Sequence, residues 1–464
     1  MAARSIPTSN KNKKISSWFV GLVLGASFLL TLNNVQTAFK SYSDRQLISP
    51  SETFASSKYQ PIQLGDRQKI SQHDFSQIDR LAKQLNYSGT SVTELANLLA
   101  HNAQTESEKA RIIYAWITQH ITYDVAAFLD AVNNDNYPDV AVETVLRDRT
   151  TICSGYSNLY HALAEAMNLK SAIVIGYAKG ATPASEKFQD VNHAWNSVRI
   201  DGAWYLLDAT WGAGSVRDNK FVPGYKPYYF ATAPEEFINN HYPQDKGWQL
   251  LNRTYTRVEF DSLPSIASRF YNLGLKLVSH KNYHISTSNQ FNIELKIPQN
   301  VVAIAELTQN GQGLLDNSIL SNRNGDRLIV SVAPPETGTY DLIIYAKEKK
   351  DPGEYGEVIN YQIDASNSTA RLPKTFGHFH DSQAGLIAPL NADLKSDWST
   401  YFNLIVPEAE DVQVINTATK QWTPLTGYGS YFAGHVELQS GTIAVVARFP
   451  QSDRYWQLVE YQAK

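Results

Sequence analysis
The spacing of apolar residues changes character along this chain. From about Asp74 they recur every three or four positions, and Phe75, Ile78, Ala82 and Leu85 share one helical face. Ser91-Val92-Thr93-Glu94 and Thr105-Glu106-Ser107-Glu108 each read as a capping box, opening helices that run to about His101 and through Ile121. On the second of these Ile113, Trp116, Ile117 and His120 cluster as core residues do. Residues 122–150 show no period and read as a loop-rich approach, with Arg147, Asp148 and Arg149 as solvated surface. Ser154 to Asn168 is helical again, with Tyr156, Leu159, Tyr160, Leu163 and Met167 on one face. Ala172 to Ala178 is a continuous apolar run suited to a buried strand, and Lys179 to Asp190 a polar loop. His193 to Ile200 and Ala203 to Ala209 are strand-like, joined by Asp201-Gly202, a strong two-residue turn signal.

From Thr254 onward the period is two. Phe291, Ile293, Leu295 and Ile297 alternate with polar residues, and Val301 to Leu307, Leu328 to Val332 and Tyr340 to Tyr345 are further strands. Gly338-Thr339-Tyr340 resembles a tyrosine corner. Asn367-Ser368-Thr369 marks a boundary, after which Tyr401 to Val406, Asp411 to Ile415, Val436 to Leu438 and Thr442 to Phe449 are strands. The pattern predicts an α+β region followed by two all-β sandwiches with no constellation that suggests chemistry.

The N-terminus differs from both. Arg4, Lys11, Lys13 and Lys14 precede the nearly uninterrupted apolar run Trp18 to Leu32. This order reads as an export signal, with the basic flank retained and the body carried across. The small-x-small fit around Val35-Gln36-Thr37 or Gln36-Thr37-Ala38 is poor, so an uncleaved membrane anchor is the alternative, although the run is shorter than the roughly 20 residues of a spanning helix. The expected division is therefore 1–33 signal peptide or anchor, 34–68 flexible linker, 69–251 α+β domain, 252–368 first β module and 369–464 second. Localisation is expected to be extracytoplasmic.

A net charge of −4 and a pI near 6.3 give no general pull toward nucleic acid. The single cysteine excludes an intramolecular disulfide. No phosphate-cradling glycine loop, CxxC pair, HExxH or calcium loop is present. His378-Phe379-His380-Asp381 offers three metal ligands on one strand face, but no fourth, and no metal or cofactor is assigned.

That single cysteine gives the middle of the chain its chemistry. Cys153 falls at a helix start, where unpaired N–H groups and the dipole favour a thiolate and could hold an oxyanion. The Asp201-Gly202 turn pairs Ile200 with Ala203; carried back, Trp195 faces Asp208 and His193 faces Thr210. His193 and Asp208 are then diagonal neighbours on one face, their Cα atoms roughly 7–8 Å apart. Asp208 can orient the imidazole and leave its other nitrogen for the thiol. Trp195, Trp204 and Trp211 read as core or cleft wall.

Three segments in this order, Cys153-Ser154-Gly155-Tyr156, Asn192-His193-Ala194-Trp195 and Leu207-Asp208-Ala209-Thr210-Trp211, resemble the transglutaminase-like cysteine superfamily. Lys109 to Asp124 and Tyr229 to Leu251, the latter with His241-Tyr242-Pro243, resemble its kyphoscoliosis-peptidase-like branch. The resemblance covers about residues 70–251 and, more loosely, the β-rich region. It implies a papain/transglutaminase-like catalytic domain followed by two immunoglobulin-like sandwiches, with Cys153 as nucleophile, His193 as base and Asp208 as orienting acid. It implies acyl transfer on an amide through a thioester, by a peptidase or transamidase acting on protein or cell-wall peptide. The alternative is a catalytically silent surface scaffold on the same fold.

Overall fold
A computed structural model describes residues 70, 73–179, 191–313, 317–366 and 370–464. The predicted export segment, its linker, the loop 180–190 and the Asn367–Thr369 boundary lie outside the described residues. The described chain through Asp261 forms one compact unit, and Ser262 to Lys464 another.

In the first unit, helices α1 (Ser76–Gln84), α2 (Val92–Ala100) and α3 (Glu106–His120) precede a short parallel pair, β1 (Thr122–Tyr123) and β2 (Thr150–Thr151). The Thr105 capping box forms in full. The Ser91 box forms only by half. The Ser91 hydroxyl accepts from the Glu94 N–H at 3.3 Å, but the Glu94 carboxylate turns instead to the Tyr87 hydroxyl at 3.0 Å. The predicted loop 122–150 is a correction. It holds α4 (Val125–Asn134), capped by the Asp124 carboxylate on the Ala127 N–H, and α5 (Val142–Asp148), which ends at Arg149 with a φ of 57°. Arg147 and Asp148 pair on the surface, whereas Arg149 lies 5.0 Å over the Trp116 ring.

Helix α6 (Cys153–Ala166) is buried along its first two turns, not on one face alone. Tyr156 donates to the Ile121 carbonyl at 2.7 Å and Tyr160 to that of Ala110 at 3.3 Å, tying α6 to α3. Behind it stands a five-stranded sheet. Its central strands are β3 (Ser171–Ala178), β4 (His193–Ile200) and β5 (Ala203–Leu207). After α7 (Ala209–Ala213), the β6 (Gly214–Arg217) and β7 (Lys220–Pro223) hairpin intervenes, and β8 (Phe230–Thr232) and β9 (His241–Pro243) then close the two edges. The β4–β5 register pairs Ile200 with Ala203 and Asn196 with Leu207, as the turn residues predict; Asp201 and Gly202 have φ of 50° and 86°. On its other side β3 pairs Gly176 with both His193 and Pro243. A Cβ at Gly176 would lie 2.2 Å from the Tyr242 carbonyl, so glycine is what lets β9 come this close. Lys179, expected in a surface loop, is buried: its ammonium donates to the Phe260 carbonyl and lies 4.4 Å from that ring.

The second unit contains two sandwiches of one topology. In the first, a large sheet runs Ser265–Ile266, Gly356–Ala365, Gly338–Glu348, Val301–Gln309, Gln312–Gly313, with His284–Thr287 added in parallel on Gly356–Ala365. In the second it runs Lys374–Thr375, Tyr455–Ala463, Gly441–Arg448, Asp411–Asn416, Gln421–Pro424, with Asp393–Leu394 parallel on Tyr455–Ala463. A four-stranded sheet faces each. Matching strands bury Val358, Ile359, Tyr361 and Ile363 in one and Leu458, Val459, Tyr461 and Ala463 in the other. The Asn322 amide donates to and accepts from the Leu386 backbone, both at 2.7 Å, joining the two. Tyr340 donates to the Glu336 carbonyl at 2.9 Å, which is the tyrosine-corner bond. His378 and His380 sit on a short helix, Gly377–Asp381, not a strand; His380 is paired with the Thr375 hydroxyl at 3.0 Å and His378 packs on Trp456.

Candidate active site
Cys153 is the first residue of α6. The Gly155 and Tyr156 N–H groups already return to the Ile152 carbonyl, so the amides left at the helix mouth by this geometry are those of Cys153 and Ser154. Gly155 is required by close approach, since a Cβ there would lie 2.0 Å from the Thr151 hydroxyl.

His193 begins β4 beside this helix start. Asn192 before it mimics a strand, accepting from the Ala178 N–H at 2.7 Å and donating to the Ala178 carbonyl at 3.1 Å. Asn196 donates to the Ser157 carbonyl at 3.0 Å, which fixes β4 against α6. Strand β5 stops at Leu207, two residues earlier than predicted, because Asp208 caps α7: its Oδ1 accepts the Trp211 N–H at 2.9 Å. Thr210 therefore does not face His193 across a ladder. The other oxygen of Asp208, Oδ2, accepts from His193 Nε2 at 2.8 Å.

The structure thus brings all three predicted residues together. With Nε2 committed to Asp208, Nδ1 is the His193 nitrogen left for the thiol, and a Cys153–His193 hydrogen bond is among the interactions that favour the imidazolium. Burial works against that charge; the Asp208 carboxylate outweighs it, and with the thiol's help the ring is raised to about 10. Burial likewise opposes the Asp208 anion, but His193 and a second histidine hold it well below the usual carboxylate range. At neutral pH the dyad is an imidazolium on a carboxylate. The thiol is nearly covered, with 4% of Cys153 exposed.

The second histidine is His241, on β9, whose Nε2 reaches the same Oδ2 at 2.9 Å. His241 lies within the resembling stretch Tyr229 to Leu251, and only the pairing of β9 with β3 carries it to the site. Ligand atoms of His193, Asp208 and His241 lie within 4.8 Å of one another. Their N···O distances are those of hydrogen bonds, shorter than the about 3.3 Å between ligands of a tetrahedral ion with bonds near 2.0–2.1 Å. Trp211 and Trp195 wall the site, 5.8 and 6.0 Å from the His193 ring, while Trp204 packs away from it on Trp248.

Residues 93–209 match the family model of the transglutaminase-like superfamily, and residues 257–376 that of the KY-like, immunoglobulin-like domain. The chain is 30% identical over 334 residues to the kyphoscoliosis peptidase of Mus musculus and 31% over 331 residues to that of Homo sapiens, 69% of this chain in each case. It is 32% identical over 221 residues to hillarin of Drosophila melanogaster, covering 44% of this chain and 26% of hillarin. The chain spans about half the length, 48%, of the two peptidases it matches. The chain thus carries a domain of the transglutaminase-like superfamily at residues 93–209, followed by a KY-like, immunoglobulin-like domain at residues 257–376, and it is similar over 69% of its length to the two kyphoscoliosis peptidases.

Proposed function
We propose that this chain is an exported cysteine-nucleophile acyl-transfer enzyme that attacks amide or peptide carbonyls. The observation that carries the reading is His193, held by a buried carboxylate on one ring nitrogen and hydrogen-bonded to the chain's single thiol. In this reading the Cys153 thiolate adds to the carbonyl carbon, and the helix-mouth amides stabilise the oxyanion. The imidazolium gives its proton to the leaving amine, and a thioester forms on sulfur. Water then releases acid, or a lysine amine forms a new amide. The names of two relatives favour peptide hydrolysis; the substrate in this reading is protein or cell-wall peptide. Export rests on the basic and apolar N-terminal segment.

A catalytically silent scaffold is the second reading, and the near-complete burial of Cys153 favours it. Iodoacetamide separates the two. An enzyme alkylates at Cys153 in the folded state at pH well below the ordinary thiol value of about 8.5. A scaffold reacts only on unfolding. Trapping with wild type and Cys153→Ala, followed by identification of bound or processed proteins, then names the substrate.

A further inference from the structure
We propose that His241 is a positioning residue of the reactive site, its Nε2–H anchoring the same carboxylate oxygen that steadies His193. The inference rests on the acyl-transfer reading above and extends it by one residue.

The geometry leaves little freedom. Asp208 Oδ2 lies 2.8 Å from His193 Nε2 and 2.9 Å from His241 Nε2. A carboxylate oxygen only accepts, so each ring must carry a proton on Nε2. A His241 protonated on Nδ1 alone would set a bare lone pair against the carboxylate. Asp208 has no exposed surface and His241 1%, so neither group can turn to water instead.

The surroundings also select the charge of this second ring. His241 stacks on Phe237 at 4.0 Å, packs against Trp211 at 4.5 Å and meets Trp195 edge-on at 5.2 Å. Burial among these rings lowers its proton affinity, even though Asp208 pulls the other way. The other titratable groups that sense Asp208 are Tyr114 on α3, Tyr123 on β1, Tyr156 on α6 and Lys226 before β8. Burial raises the three phenols, which stay neutral, and lowers Lys226. A neutral imidazole is therefore the donor that can fix Oδ2 without placing a second cation beside it. A lysine or arginine in its place would compete with His193 for the carboxylate. Held from two sides, with Oδ1 committed to the Trp211 N–H, the carboxylate has one orientation, which leaves Nδ1 as the His193 nitrogen for the thiol.

The test has two independent parts. Nitrogen-15 NMR of the wild-type histidines should show His241 neutral and Nε2-protonated from pH 5 to 8. An ordinary titration near 6.5, or an Nδ1–H tautomer, overturns the proposal. Second, His241→Phe keeps an aromatic ring and removes the donor, whereas His241→Gln keeps a donor and removes the ring. His241→Phe should lower kcat 10–100-fold with KM within about threefold, and His241→Gln should recover most of that loss. Equal losses in both, or His241→Phe within twofold of wild type, overturn it. If wild type shows no turnover, the acyl-transfer reading fails on its own; the NMR tautomer and the relative Cys153 alkylation rates of the two variants still decide the role of His241.

Discussion

The five-stranded sheet of the first unit and the paired sheets of the second alternate their side chains in the same way, yet bury different chemistry. The first sandwich turns Ile293, Leu295, Val330, Leu342 and Ile344 inward, all apolar. A buried charge there closes on its own backbone, as the Lys347 ammonium does on the Asp351 and Gly353 carbonyls at 3.0 and 2.8 Å. The five-stranded sheet instead turns His193 and His241 inward and ends β5 on Asp208. Taking a carboxylate and two imidazoles out of water costs several kcal/mol unless they satisfy one another, and here one oxygen satisfies both rings. The sandwich core is a sum of small, replaceable contacts. The site is a single bonded cluster, in which removing one member strands the others.

Asp208→Asn should break that contrast hardest. The amide still offers an acceptor to the Trp211 N–H, so α7 keeps its cap. Its NH2 then faces two N–H donors, and His193 must turn or take the wrong tautomer. Turnover should fall about 10⁴-fold, measured as kcat/KM. Stability should drop too, by about 3–5 kcal/mol in denaturant unfolding, because two buried imidazoles lose their partner. Ile293→Ala is the matching change in the sandwich. It should cost about 2–5 kcal/mol through the cavity it leaves, while the Cys153 alkylation rate of the folded protein stays at the wild-type value.

The same contrast has a pH signature. His193 is raised to about 10, so its contribution to stability is complete below the ordinary histidine value of about 6.5 and is lost as pH rises through 10. Asp208 is depressed, so its contribution is complete above the ordinary carboxylate value of about 3.9 and is lost as pH falls toward its lowered value. The pair is worth most between those ordinary values. The melting temperature should decline from pH 6.5 to 10 in wild type, and this decline should be absent from Asp208→Asn.

How much of this could be read from the chain depends on how far apart in sequence the interacting residues lie. The β4–β5 register is local, set by Asp201-Gly202, and so His193 and Asp208 fall together from the sequence alone. Asp208 serves two partners, one on each oxygen: Oδ1 caps α7 and Oδ2 accepts from His193. His241 enters the site by pairing β9 with β3, a non-local contact that no spacing around the histidine records. Helices α4 and α5 are obscured by Asn- and Asp-rich ends, although Asp124 is a regular cap. The Ser91 box is half-formed because Tyr87, from outside the motif, captures Glu94. The shared topology of the sandwiches is hidden because topology constrains which positions face inward and not which apolar residue fills them: Ile293 and Leu295 in one stand where Phe402 and Leu404 stand in the other.

Tyr340→Phe tests the smallest step of the comparison. The Tyr340 ring is buried in the first sandwich, and its hydroxyl donates to the Glu336 carbonyl four residues back, holding the turn before the Gly338–Glu348 strand. Phenylalanine keeps the ring and its packing and removes the bond alone. The carbonyl it leaves belongs to the exposed Glu336, which water can reach, so no buried acceptor is stranded. The loss should be about 0.5–1.5 kcal/mol in urea unfolding, the value of one net hydrogen bond. A loss as large as that of Asp208→Asn would mean that the sandwich, like the site, is a coupled cluster, and that the distinction between the two regions fails.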